Sequence, residues 1–179
     1  EISWKNIIVE NLWFLSGDTR IDLLRRHGCR FWEPWADEDG RVPSAYGNFW
    51  RNFPVHQDGE VSFNDQIRYV VDELRERPQS RRLVVSAWAP GNAQTSALPP
   101  CHAFWVLNVQ YDGQGEPLLC LHLTQRSCDV ALGLPYNIAG YAFLLELISR
   151  FTGIRAGFFG HTLIRSEEHT SELQSQFRI

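Results

Sequence analysis

The residues best suited to chemistry lie in a few short stretches. In Pro99-Pro100-Cys101-His102, two prolines stiffen the approach to a segment that reads as a strand. The Cys101 thiol then sits at the end of an element, where reacting groups are often carried. To attack an electrophile the thiol must become thiolate. An unperturbed cysteine has a pKa of about 8.5, and neighbouring cations lower it. Arg126, in Gln125-Arg126-Ser127-Cys128-Asp129, is a cation that the end of the adjacent strand would bring close. His102 alternates to the opposite face from Cys101, so it is not automatically the base for that thiol. A water-ordering role and a structural hydrogen bond both stay open for it.

Arg81-Arg82 and Arg126-Ser127 each flank an expected strand. Forked guanidinium donors and a serine hydroxyl suit a phosphate dianion, although a solvated basic turn would read the same way. Neither GxxxxGKS nor GxGxxG occurs in the chain, so the common glycine-rich phosphate loops are excluded. Glu10 lies within the apolar run IIVENLWFL. Burial raises a carboxyl's pKa unless a partner offsets it, so Glu10 suits a proton-transfer role or a structural hydrogen bond. Asn137 follows Pro135 near the start of a long helix. It can serve as a cap, or its amide can offer one donor and one acceptor to an amide-like ring.

These residues need elements to position them. Residues 7–15 read as a buried helix, and Asp18 or Thr19 as the cap of a short helix ending near Gly28. Residues 31–40 read as a loop or short helix, and 43–54 as an aromatic, irregular stretch. Ile67, Val70, Val71 and Leu74 recur at helical spacing, with Asn64 as expected cap and Pro78 as stop. LVVSAW reads as a strand, and AFWVLNVQY and LLCLHLT as a hairpin around DGQGEP. A long helix is expected from about Tyr136 to Phe151. Helices and hairpin strands together indicate an α+β fold.

The length of 179 residues and the 44% hydrophobic content suit one globular core. No apolar run reaches the ~20 residues that span a bilayer, so no membrane association is expected. A net charge of −4 argues against a generic nucleic-acid surface. The four cysteines (Cys29, Cys101, Cys120, Cys128) form no CxxC pair. With no secretory signal pattern, they are expected to be reduced, in a cytoplasmic protein. The chain lacks methionine and begins at Glu1, which reads as a fragment. Residues 165–175 are polar and aperiodic, and they resemble the in-frame translation of a sequencing-library adapter. Residues 1–164 are therefore expected to form the domain, with 165–179 as a non-native or disordered tail. Glu167, Glu168 and His169 are accordingly not metal-ligand candidates, and no metal is expected.

Taken together, ENLWFLSGDT (10–19), FWEPWADEDG (31–40), YGNFWR (46–51), DQI (65–67), SRRLVVSAW (80–88), LPPCHAFW (98–105), QRSCDVALGLPYNIAGYA (125–142) and HT (161–162) resemble the thymidylate synthase family. The resemblance implies a single domain with a mixed β-sheet packed by helices. It implies conversion of dUMP to dTMP, with 5,10-methylenetetrahydrofolate giving both carbon and hydride. Cys101 would attack carbon 6 of the uracil and make carbon 5 nucleophilic. Arg126 and Ser127 would bind the phosphate, helped by Arg81 and Arg82 from the other subunit of a homodimer. Asn137 would read the uracil amide edge, and Asp129 would contact both pyrimidine and pterin. Glu10, Tyr46 and His102 would order water and protons. Phe31, Trp32, Trp35, Gly133 and Tyr136 would lie along the folate.

The sequence also departs from the family pattern. The N-terminal arginine loop, the ribose-binding histidine and tyrosine, and the C-terminal lid have no counterpart, so this chain is expected to be weakly active or inactive. Asn11 and Phe49 stand where the family more often has other residues. A deoxyuridylate hydroxymethylase, in which water replaces hydride, stays open as an alternative. So does a non-catalytic nucleotide- or folate-binding relative.

Overall fold

The apolar run around Glu10 forms helix α1, Trp4–Ser16, in the computed structural model, which describes residues 2–94 and 96–167. Ser3 caps its start, and Gly17 closes it in the left-handed conformation at φ 73°, a geometry that favours glycine. Helix α2, Asp22–Arg26, follows, but neither Asp18 nor Thr19 caps it; Ile21 holds that position without a side-chain bond. The Asp18 carboxylate instead accepts from the Arg20 amide at 2.9 Å, a local turn that competes with capping.

Tyr46–Arg51 is helix α3, inside the stretch expected to be irregular. Packing explains it. A Cβ on Gly47 would lie 2.3 Å from the Phe14 carbonyl oxygen, so glycine lets α3 press against α1. Strands β1, Phe53–Gln57, and β2, Glu60–Asn64, form a hairpin that the sequence reading did not anticipate. Asp58 and Gly59 turn it with φ 52° and 82°, as a two-residue Asp-Gly turn requires. Helix α4, Gln66–Glu76, is capped by Asp65, which accepts from the Arg68 amide, and not by Asn64.

The main sheet contains β3 (Val84–Ser86), β4 (His102–Tyr111), β5 (Pro117–Gln125) and β7 (Arg155–Leu163), in the order β3-β4-β5-β7. The first two pairings are antiparallel and β5–β7 is parallel. The parallel step requires a crossover, which helix α5, Gly133–Thr152, supplies. Asn137 lies inside α5, which begins three residues earlier than expected, so it does not cap the helix. The pair β6 (Cys128–Asp129) and β8 (Ser166–Glu167) adds a short parallel ladder. The sequence from Glu168 onward lies outside the described residues.

The result is the expected α+β architecture with a mixed sheet. Trp105, Leu107, Leu119, Leu121 and Leu123 on the inner sheet face pack with Trp13, Trp50, Leu144 and Ile148 from the helices in one core. Val84, Phe104 and Phe158 remain exposed on the outer side. Among the described residues, no helix is long and apolar enough to cross a membrane.

Candidate active site

Cys101 sits immediately before β4, beneath α3. The Tyr46 hydroxyl accepts from the amides of Cys101 and His102 at 3.1 and 3.3 Å, so one side chain of α3 fixes the backbone that carries the thiol. Arg126, just past β5, donates to the carbonyls of Pro99 and Pro100, and its Nη2 lies 3.8 Å from Cys101 Sγ. The guanidinium also lies over the Trp88 ring, 5.4 Å from its centroid. Burial pushes the Cys101 thiol pKa up, and the Arg126 charge offsets only part of that. The arginine is therefore where the sequence placed it, but burial is the stronger of the two effects.

A cavity of about 310 Å³ opens between α1 and the start of α5. Asn6, Glu10, Cys29, Phe31, Asp129, Leu132, Gly133, Tyr136 and Asn137 line it. The size lies at the lower end for small-molecule sites. Trp32 Nε1 donates to Glu10 Oε1 at 2.6 Å. Burial raises the Glu10 pKa to about 7, against the lowering effect of that hydrogen bond. The group can thus hold or release a proton near neutrality. The Asp129 carboxylate accepts from the Leu132 amide at 2.7 Å and shapes the turn into α5. The Tyr136 hydroxyl accepts from the Ser3 amide at 3.2 Å, joining the starts of α5 and α1.

Asn137 connects the cavity to the sheet. Its Nδ2 donates to Gln125 Oε1 at 3.3 Å, and it is also a hydrogen-bond partner of His102. Gln125 Oε1 lies 2.9 Å from His161 Nε2, and Gln125 Nε2 donates to the Ser127 carbonyl at 2.9 Å. His102 stacks on Tyr46 with ring centroids 4.6 Å apart, and its Nδ1 is 3.2 Å from the Tyr141 hydroxyl. Burial, with a smaller contribution from the neighbouring His161, holds the His102 pKa down to about 3. A neutral imidazole at that position can order water or orient a hydroxyl but carries no charge near pH 7.

The sequence that builds this site matches a known family. The thymidylate synthase family model covers residues 1–177. The chain belongs to the thymidylate synthase family. It is 42% identical to a thymidylate synthase of Haloferax volcanii over 202 aligned positions, which take in 97% of this chain and 57% of that protein. The chain therefore spans a little over half the length of that curated relative.

Most of the residues singled out from the resemblance to thymidylate synthases come together here. Cys101, Tyr46, His102 and Arg126 form the thiol side. Glu10, Phe31, Asp129, Gly133, Tyr136 and Asn137 line the cavity, with Trp32 behind Glu10. Trp35 is set apart: it lines a separate cavity of about 400 Å³ with Arg41 and Ser96. Arg81 and Arg82 are also remote. Leu107 N donates to Leu83 O, so the strand from Cys101 to Leu107 separates them from the thiol by about 20 Å. Among the described residues, no group of three His, Cys, Asp or Glu side chains could hold a metal ion. Sequence reasoning gave no role to Gln125, His161, Trp88, Tyr141 or Cys29. Gln125 and His161 do stand within the quoted QRSCD and HT motifs, and that was the available signal.

Proposed function

We propose that this chain carries the catalytic centre that converts dUMP to dTMP with 5,10-methylenetetrahydrofolate, by covalent catalysis from Cys101. The observation that carries the reading is the Cys101 thiol held 3.8 Å from the Arg126 guanidinium. In this reading Arg126 and Ser127 bind the substrate phosphate, and an arginine that touches both phosphate and thiol couples substrate binding to nucleophile activation. The Cys101 thiol gives up its proton to water, and the resulting thiolate Sγ forms a bond to carbon 6 of the uracil. The carbon 5–carbon 6 π electrons move toward carbon 5 and oxygen 4, and carbon 5 becomes the nucleophile. Asn137 presents an amide edge to the ring, and His102, held neutral, orders the water around it. Glu10, with a pKa near neutrality, passes the proton. Tyr46 keeps Cys101 and His102 in register.

The folate would supply the one-carbon unit and the hydride. The cavity fits such a group: Phe31, Leu132 and Tyr136 offer apolar faces to a flat heteroaromatic ring, and Glu10 and Asp129 offer polar atoms at its edge. The family match favours a synthase over a hydroxymethylase.

The active form in this reading is a homodimer that brings Arg81 and Arg82 to the partner's phosphate. Their ~20 Å separation from Cys101 in their own chain and the exposed Val84, Phe104 and Phe158 on the outer sheet face support that arrangement. The four free cysteines support a reducing, cytoplasmic setting.

Intact mass after incubation of the full-length protein with 5-fluoro-dUMP and methylenetetrahydrofolate tests the reading. Fluorine blocks the loss of the carbon 5 proton, so a covalent ternary adduct accumulates on Cys101. The expected result is one adduct per site in the natural protein and none in Cys101→Ala. Folded protein that forms no adduct, or turnover retained in Cys101→Ala, overturns it.

A further inference from the structure

We infer that His161 is a positioning residue that acts through Gln125 to fix which way the Asn137 amide faces, and thereby favours uracil over cytosine. The inference rests on the reading of Asn137 as the pyrimidine reader. It begins with Gln125, which is only 2% exposed and whose two amide atoms meet three partners. The Ser127 carbonyl can only accept, so Gln125 Nε2 must point to it. Gln125 Oε1 then faces both His161 Nε2 and Asn137 Nδ2, and each of those must donate. His161 is therefore the Nε2–H tautomer, and Asn137 turns its NH₂ group toward the sheet.

The consequence lies on the ligand side. With one N–H committed to Gln125, Asn137 also partners His102, and because an amide oxygen can accept twice, Oδ1 and the other N–H can still meet a pyrimidine edge. That pair complements the N3–H donor and O4 acceptor of uracil. A flipped amide would complement the N3 acceptor and exocyclic amino donor of cytosine. Asn137 can flip only if Gln125 releases its grip, and His161 supplies the second of the two donors on Gln125 Oε1. The sheet register places it for this task. Leu123 pairs with His161 and Gln125 with Leu163, so His161 and Gln125 are diagonal neighbours on the inner face. The His161 ring also packs against Phe159 at 5.6 Å. Removing the His161 donor leaves Gln125 Oε1 with Asn137 alone and loosens the amide chain.

The test compares His161→Phe and His161→Gln with the natural full-length protein. Calorimetric titration with dUMP and with dCMP gives the affinity ratio for each. His161→Phe keeps a ring but no donor, and its dUMP:dCMP ratio should fall about five- to tenfold, the effect of one net hydrogen bond. His161→Gln restores a donor of similar reach and should keep the ratio within about twofold. An unchanged ratio in His161→Phe overturns the inference, as does an equal fall in both variants, because ring packing alone would then matter. If His161→Phe does not fold, His161→Gln decides: a retained ratio supports the donor role and a collapsed one overturns it. The 5-fluoro-dUMP adduct in the natural protein is the separate control. Its absence defeats the proposed function itself, whereas its presence with unchanged ratios defeats only the role of His161.

Discussion

The ring of Tyr46 lies flat on that of His102, with centroids 4.6 Å apart and planes within 8° of parallel. The same tyrosine holds the two amides at Cys101 and His102 through its hydroxyl. Ring and hydroxyl thus do separable jobs. Tyr46→Phe keeps the stack and leaves two amides without their acceptor. Unmade buried hydrogen bonds of this kind cost about 1–3 kcal/mol, which urea denaturation would read. Adduct formation with 5-fluoro-dUMP should slow, while dUMP affinity changes little. A variant with natural stability and an unchanged adduct rate would show that the hydroxyl does not position the thiol.

Burial and Arg126 act on Cys101 in opposite directions, and burial dominates. At pH 7 the unliganded protein should therefore carry less Cys101 thiolate than an ordinary cysteine would. Alkylation by iodoacetamide, mapped by peptide mass to separate Cys101 from Cys29, Cys120 and Cys128, should be slow at neutrality and should rise with pH. Arg126→Gln removes the one lowering influence and should move the profile to still higher pH. A midpoint at or below that of a free thiol would contradict this balance.

Glu10 and His102 bend the stability profile in opposite ways. The Glu10 pKa is raised from 4.5 to about 7 in the folded state. Its contribution is complete below pH 4.5 and is lost as the pH rises through about 7. The His102 pKa is lowered from 6.5 to about 3, so its contribution is complete above pH 6.5 and is lost as the pH falls toward 3. Glu10→Gln removes the first trend and leaves the second. Denaturation at a series of pH values should then show natural protein and variant diverging between pH 4.5 and 7. The variant gains on the order of 3 kcal/mol relative to the natural protein as the pH rises from 4.5 to about 7. A difference that stays flat across that window would mean that Glu10 is well solvated.

The sequence made some of this legible and hid the rest for physical reasons. Helix α4 and the β4–β5 hairpin follow from local pattern, because their apolar positions recur at the period of the element that buries them, and α1 follows from an almost unbroken apolar run. Helix α3 does not. Tyr46–Arg51 has no side-chain cap, and its helix depends on Trp50 in the core and on Gly47 against α1. Strand β2 is exposed at each position, so it has no alternation to read, although Asp58-Gly59 marked its turn. Within the site, Cys101 and Arg126 were legible as motif residues. The role of Gln125 was not, because two of its three partners lie 12 and 36 residues away in sequence. No spacing rule encodes a polar chain assembled from a helix and two strands.

Gly47 offers the sharpest link between packing and site. A Cβ there would meet the carbonyl oxygen, carbonyl carbon and Cα of Phe14 at 2.3, 2.9 and 2.9 Å. These are backbone atoms of α1, so no side-chain rotation relieves the clash, and α3 must move away from α1. Gly47→Ala should destabilise the fold by about 3 kcal/mol or more. Gly113→Ala is the control. It meets nothing within 4 Å and should stay within about 0.5 kcal/mol of the natural protein. The damage should reach the chemistry as well, because Tyr46 adjoins Gly47 and its hydroxyl holds Cys101 from the same helix. In whatever fraction of Gly47→Ala remains folded, the adduct rate with 5-fluoro-dUMP should fall as it does in Tyr46→Phe. Full stability in Gly47→Ala would mean that α1 and α3 are not in backbone contact. A folded Gly47→Ala that traps the adduct at the natural rate would mean that α3 does not set the position of the thiol.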